Sequence, residues 1–544
     1  MGTRGRSVRW AAVLAAFVLI VAACTSDSDD TTTTTATTQT TEASSTTTTA
    51  APPETTTTTA APEPSALTVG MGNLPPSAVP WTGAGSPGQY VWSSVFDALT
   101  YVDPDGTVVP ALAASWTAVD ETTWEFTLID GATFQNGEPV DADAVVATFA
   151  TLLSEDGRAT FSANVNNYGF ITAVEKVDDA TVRMTTEGTQ VLLPNAISIA
   201  YIVPPVYYGE VGAEGFATAP VGSGPYTSAA WSDQSVTLAA WDGSWRGVPS
   251  VEMLEFLNLN DPATRLQALQ SGQANIIQSV NPDQIEGLVS DGFTMFKGSR
   301  GSVISLAFIA NDGGPLASQQ VRQALNYAVD KQAIVDALLQ GLALPGVWAI
   351  EGVNGWDPAR EAYPFDADKA RELLAEAGFA DGFDMVAEIT VGAFPADGDI
   401  YEATKGYLAD IGVNLELRQI DFSGEWLPKF LGSDGADWDG DSFGLSWNAA
   451  PLIDAIRPFN FYSCGWLNEF FCDETAEELI TQVNAAFDVD ERNALLDDLL
   501  SVNYDNPPAL WLSETVELWA HDANVQGFSV DAFNIRFEDV TISG

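Results

Sequence analysis

Histidine occurs once in this 544-residue chain, as His521, and cysteine three times. Supplies this small leave no His-Glu-x-x-His metal helix and no histidine to serve a nickel or haem carrier, and Gly-x-Ser-x-Gly is absent as well. Basic residues are scarce too: 21 Lys and Arg face 74 Asp and Glu, a net charge of −53. Nucleic-acid binding needs a basic face to neutralise phosphate, so that class is excluded. Long apolar runs are also missing. The unbroken run Ala11 to Ala23 falls short of the roughly 20 residues that cross a bilayer.

What the N-terminus does contain is ordered. Arg4, Arg6 and Arg9 precede the apolar run, which closes on Val21-Ala22-Ala23-Cys24, the layout of a secretory signal. The cysteine after two alanines resembles a bacterial lipobox. Residues 1–23 are then a cleaved signal, and Cys24 is the lipid anchor on the outer face of the cytoplasmic membrane. From Thr25 to Pro64 the chain is Thr, Ser, Ala and Pro with a few polar residues. It cannot bury a core and reads as a disordered tether, its ends on the order of 35 Å apart. The apolar and aromatic residues of a globular body begin at about Ser65. The remaining cysteines, Cys464 and Cys472, lie close together in sequence, and in an oxidising compartment they are expected to form a disulfide.

Periodicity gives the body a mixed α/β character without internal repeats. Leu67 to Gly70 reads as a first strand, Gln89 to Leu99 as a helix, and Trp124 to Leu128 as a half-buried strand. Asp141 caps a helix reaching Leu153. Strands are expected over Val236 to Ala240 and Val251 to Leu259. Helices are expected over Pro262 to Gln270, Ser318 to Leu339, Asp366 to Ala377, Ile400 to Ile411, Thr475 to Phe487 and Glu491 to Val502.

Four stretches in order carry a resemblance. The first runs from Val95-Phe96-Asp97-Ala98-Leu99 through Asp105-Gly106-Thr107 and Gly131-Ala132-Thr133-Phe134-Gln135-Asn136-Gly137 to Asp143. The second is Gly222-Ser223-Gly224-Pro225-Tyr226, and the third is Val321-Arg322-Gln323-Ala324-Leu325 through Lys331. The fourth runs from Asp366 to Phe379. Together they resemble the extracellular solute-binding proteins of family 5, which serve ABC importers of peptides and nickel. The resemblance implies a two-lobed periplasmic-binding-protein-like fold (type II, cluster C) with a domain inserted in the first lobe. Lobe I would comprise 65–100, 222–300 and 515–544, the insert 101–221, and lobe II 301–514. It further implies a non-enzymatic, monomeric carrier, without cofactor or metal, that closes on a solute and presents it to a membrane permease.

In peptide-binding members an aspartate shortly after a tryptophan pairs with the ligand ammonium. Here Ser446-Trp447-Asn448-Ala449-Ala450-Pro451-Leu452-Ile453-Asp454 places Ala450 where that aspartate is expected. Asp454 is the candidate replacement, and Arg457 could grip a ligand carboxylate; the alternative is a solvated Asp454 with Arg457 as its surface partner. Trp447, Asn448, Tyr462 and Trp81 complete the expected pocket lining. A peptide is the expected ligand. With 16 tryptophans, an oligosaccharide stacked on aromatic rings is the alternative. A tethered hydrolase with paired carboxylates is the rival from another class.

Overall fold

The computed structural model describes residues 65–83, 86–161, 167–311, 313–432, 435–530 and 534–543. The signal, Cys24 and the tether lie outside the described residues. Among the described residues no helix is long and apolar enough to cross a membrane.

The body is organised on one ten-stranded mixed sheet. Its first strand, β1 (Ala66–Met71), is followed by helix α1 (Ser86–Val95) and by a separate four-stranded antiparallel sheet. That smaller sheet comprises β2 (Ala113–Asp120), β3 (Thr123–Leu128), β4 (Ile171–Asp178) and β5 (Thr181–Thr186), in the order β2-β3-β5-β4, and α2 (Ala142–Leu153) packs on it. The chain then returns to the large sheet through β6 (Tyr226–Trp231), β7 (Ser235–Ala240), β8 (Met253–Asn258), α3 (Pro262–Gln270) and β9 (Ile276–Gln278). A long strand, β10 (Thr294–Phe308), leads to α4 (Gln319–Ala328), α5 (Lys331–Leu338), α6 (Ala367–Glu376), β11 (Phe383–Ile389), α7 (Asp397–Asp410), β12 (Val413–Gln419) and β13 (Ser442–Asn448). Helices α8 (Glu474–Ala485) and α9 (Val489–Asp505) precede a second long strand, β14 (Ala509–His521). The large sheet runs β12-β11-β13-β10-β14-β9-β1-β8-β7-β6.

The two long strands are central to everything that follows. They pair antiparallel with each other, and their register shifts between the Ser299–Val516 and Val303–Glu514 pairs. On one side of the shift β14 pairs β9 at residues 519 to 521; on the other β10 pairs β13 at residues 302 to 308. Each long strand therefore belongs to both halves of the sheet, and the irregularity sits where the halves meet. Side chains alternate across the sheet: Leu510, Leu512, Val516, Leu518 and Ala520 enter one apolar core, while Trp511 and Trp519 enter the other.

Much of the acidic excess goes to helix starts. Asp141, Asp261, Asp366, Asp473 and Asp488 each accept a hydrogen bond from a first-turn backbone N–H, which satisfies an orphan donor and opposes the helix dipole. The Gly-Ser-Gly-Pro-Tyr stretch is a docking loop. Gly224 N–H donates to the Val95 carbonyl at 2.9 Å, and a Cβ on Gly222 would sit 1.8 Å from that oxygen. This contact helps end α1 at Val95, short of the Leu99 expected from periodicity. The single helix expected over Ser318 to Leu339 is also broken in two: Val329 is extended, and Asp330 caps α5 through the Ala333 N–H.

Candidate functional site

The site grows from the alternation along β14. Its odd-numbered face presents Trp511, Ser513, Thr515, Glu517 and Trp519 in succession, all buried. Trp511 lies on the β13 side of the sheet irregularity, its ring centroid 4.1 Å from that of Trp447. Trp447 in turn stacks on Tyr462 at 4.6 Å and meets Phe459 edge-on. Trp348 packs edge-on against Trp511 from behind. At the other end Trp519 meets Tyr90 of α1. Between the aromatic ends lie hydroxyls and carboxylates: Thr515 is hydrogen-bonded to Ser302 at 2.6 Å, and Glu517 accepts from Tyr90 and Gln278. Glu514, on the opposite face, accepts from Lys297 at 3.1 Å and from the Leu344 N–H at 3.1 Å.

Polar satisfaction divides these groups. The indole N–H groups of Trp447 and Trp511, the Tyr462 hydroxyl and the Ser513 hydroxyl are buried without a hydrogen-bond partner. Buried polar atoms in folded proteins are nearly always paired, so a cluster of such atoms marks a surface that awaits a partner. Burial also pushes the Tyr462 phenol well above its ordinary pKa, keeping it a protonated donor.

Asp454 is the reverse case. Its carboxylate takes two bonds from Arg492, at 2.7 and 3.0 Å, one from Asn354 Nδ2 at 2.7 Å and one from the Ile456 N–H at 2.9 Å. It is fully buried, which corrects the alternative of a solvated Asp454 paired with Arg457. With four bonds already made, it has no acceptor position left for a ligand ammonium. Asp454 does line a cavity of about 400 Å³, whose walls include Gly106, Asn195, Val353 and Ile453. There the smaller domain reaches across: Asn195 Nδ2 donates to the Leu452 carbonyl at 2.8 Å.

Arg457 donates to the Asn448 carbonyl at 2.6 Å and lies 5.8 Å from the Phe461 ring. Among the described residues it makes no ion pair, and burial brings its pKa down to about 10. Asn448 shapes the loop, its side-chain oxygen accepting from the Ala450 N–H. Trp81 lies elsewhere. Its indole N–H donates to the Tyr201 carbonyl and its ring meets Phe161 and Tyr208, so it packs α1's approach against residues of the following domain and shares no ring contact with Trp447 or Tyr462. Cys464 and Cys472 are disulfide-bonded, with Cα atoms 4.8 Å apart. The bridge closes the loop carrying Phe470 and Phe471, which pack on Tyr462.

The structure thus brings together Trp447, Tyr462 and the Arg457 loop, leaves Trp81 apart, and adds Trp511, Ser513 and Trp348. The period-two run Trp511, Ser513, Thr515, Glu517, Trp519 was the available signal for the missing strand. Among the described residues no group of three or more His, Cys, Asp or Glu side chains is placed to hold a metal.

Comparison with known proteins agrees with this architecture. The family model of bacterial extracellular solute-binding proteins, family 5 Middle, matches residues 107–468. Glutathione-binding protein GsiB of Salmonella paratyphi A is 26% identical over 459 residues, covering 81% of this chain and 87% of that protein. Two solved structures share the fold. HbpA2 from Haemophilus parasuis superposes with a TM-score of 0.75 at 23% identity, over 88% of this chain and 100% of that one. DppA from Helicobacter pylori, in complex with the peptide STSA, gives 0.72 at 19% identity, over 88% and 98%.

Proposed function

Since the chain belongs to the bacterial extracellular solute-binding proteins of family 5, whose solved neighbours are two-lobed, we propose that it is the lipid-anchored binding component of an ABC importer. It captures a short peptide between its lobes and hands it to a membrane permease. Residues 65–100, 222–300 and 515–544 form lobe I, 301–514 lobe II, and 101–221 the insert. Cys24 carries the lipid, and the tether lets the body reach the permease. The carrier works as a monomer and without catalysis.

The observation that carries this reading is the placement of a partnerless donor cluster beside the crossing strands. A register irregularity in β10 and β14 gives the two halves of the sheet a place to bend, and hinge closure around a ligand needs such a place. The aromatic wall of Trp447, Tyr462 and Trp511 lies next to it and would be covered or uncovered by that bend. An oligosaccharide is the second reading, favoured by the same rings as a stacking surface.

Thermal unfolding of the full chain against di- to hexapeptides and cello- and xylo-oligosaccharides tests the proposal. A ligand of the native state alone stabilises by about 2.7 kcal/mol at a hundredfold excess over its dissociation constant. A shift with peptides is expected. Hydrolysis of a panel member would overturn the carrier reading.

A further inference from the structure

Resting on the carrier reading, we propose that the cleft wall recognises its solute through the solute's acceptor atoms, so that the buried end of the ligand is a carboxylate and not an ammonium. Four side-chain donors converge on this wall: Trp447 Nε1, Trp511 Nε1, Tyr462 Oη and Ser513 Oγ. All four residues are at most 3% exposed and none of these atoms has a hydrogen-bond partner. Trp447 touches both Trp511 and Tyr462, and Ser513 follows Trp511 on the same face of β14. An indole nitrogen can only donate. It cannot receive a proton from an ammonium, and it is satisfied by a carbonyl or carboxylate oxygen.

Charge points the same way. Arg457, on the loop after Trp447, spends one bond on the Asn448 carbonyl and has no carboxylate partner among the described residues. A guanidinium so placed gains most from a bidentate anion. The acids within reach already have work in the scaffold. Asp454 holds Arg492, Asn354 and the Ile456 N–H; Glu514 holds Lys297 and the Leu344 N–H; Glu517 holds Tyr90 and Gln278. Ala450 occupies the place where an ammonium-binding aspartate was expected. The wall therefore offers donors and a cation to whatever enters.

Calorimetric titration of the full chain with matched ligands decides the matter: a tripeptide free at both ends, N-acetylated, or C-amidated, with a glucuronic-acid trisaccharide and its neutral counterpart alongside. Acetylation should change affinity by less than about threefold, and amidation should weaken it about tenfold or more, the range for a lost hydrogen bond to a charged group. Trp511→Phe, which keeps a ring and removes the donor, should weaken the acid by a similar factor, whereas Glu517→Gln should not. Loss on acetylation with tolerance of amidation overturns the proposal, as does loss in Glu517→Gln or wild-type affinity in both Trp447→Phe and Trp511→Phe. Binding of a neutral or amidated member with every acid silent overturns it while the carrier reading stands. Silence of the whole panel removes both.

Discussion

Two patches on either side of the Ala450-Pro451 loop behave oppositely. Around Asp454 the polar groups are saturated: a fully buried carboxylate is held by Arg492, Asn354 and a backbone N–H. Around Trp447 they are unsaturated, with four buried donors lacking partners and an arginine lacking a counter-ion among the described residues. The first patch carries the charges that a sequence reader would assign to ligand binding, yet its bonds are all internal. The second is mostly aromatic and nearly uncharged. Formal charge marks where the scaffold is tied together, and vacant hydrogen-bonding capacity marks where a solute can be held.

Three outcomes would break or sharpen that contrast. Arg492→Met strands a buried carboxylate and should cost about 3–5 kcal/mol in urea unfolding, whereas the double change Arg492→Met with Asp454→Leu should recover most of the loss. If the single change were harmless to stability but abolished binding, the two patches would have been assigned the wrong way round. Lys331 supplies an intermediate effect, since it is another buried cation without a printed carboxylate partner and its amine donates to the Asn326 carbonyl at 2.8 Å. Burial lowers its pKa to about 7 from an ordinary 10.5. Between those values the unfolded chain holds a proton that the native chain has lost, so stability should rise with pH from 7 towards 10 by up to about 1.4 kcal/mol per unit. Below pH 7 both states are protonated and the slope should vanish. Lys331→Met should flatten the rise, and an unchanged slope would place the titration elsewhere. The smallest effect belongs to the wall itself. Trp447→Phe should cost only about 1 kcal/mol of stability, the ordinary size for a point change, because its N–H makes no bond to lose.

The fold was legible where local chemistry governs it. Asp141, Asp261 and Asp366 cap the helices they precede, the strand through Trp124 and Phe126 alternates as expected, and the Gly-Ser-Gly-Pro-Tyr loop packs against α1. The pocket was legible only in part. Trp447 and Tyr462 meet, but Trp511 and Ser513 were passed over because the reading moved from the helix ending near Val502 to a lobe boundary at Glu514, dividing the strand that carries them. Arg492 lies 38 residues beyond Asp454 in another helix, and no spacing announces such a pair. Orphaned donors cannot be read from sequence at all, since an indole without a partner differs from one with a partner only in three dimensions.

The most direct test is a crystal structure of the chain with the tightest-binding member of the ligand panel. The account predicts solute oxygen atoms within hydrogen-bonding distance of the Trp447 and Trp511 indole nitrogens, with the Asp454–Arg492 pair intact. A ligand ammonium seated on Asp454, with those indole nitrogens still unpartnered, would contradict it.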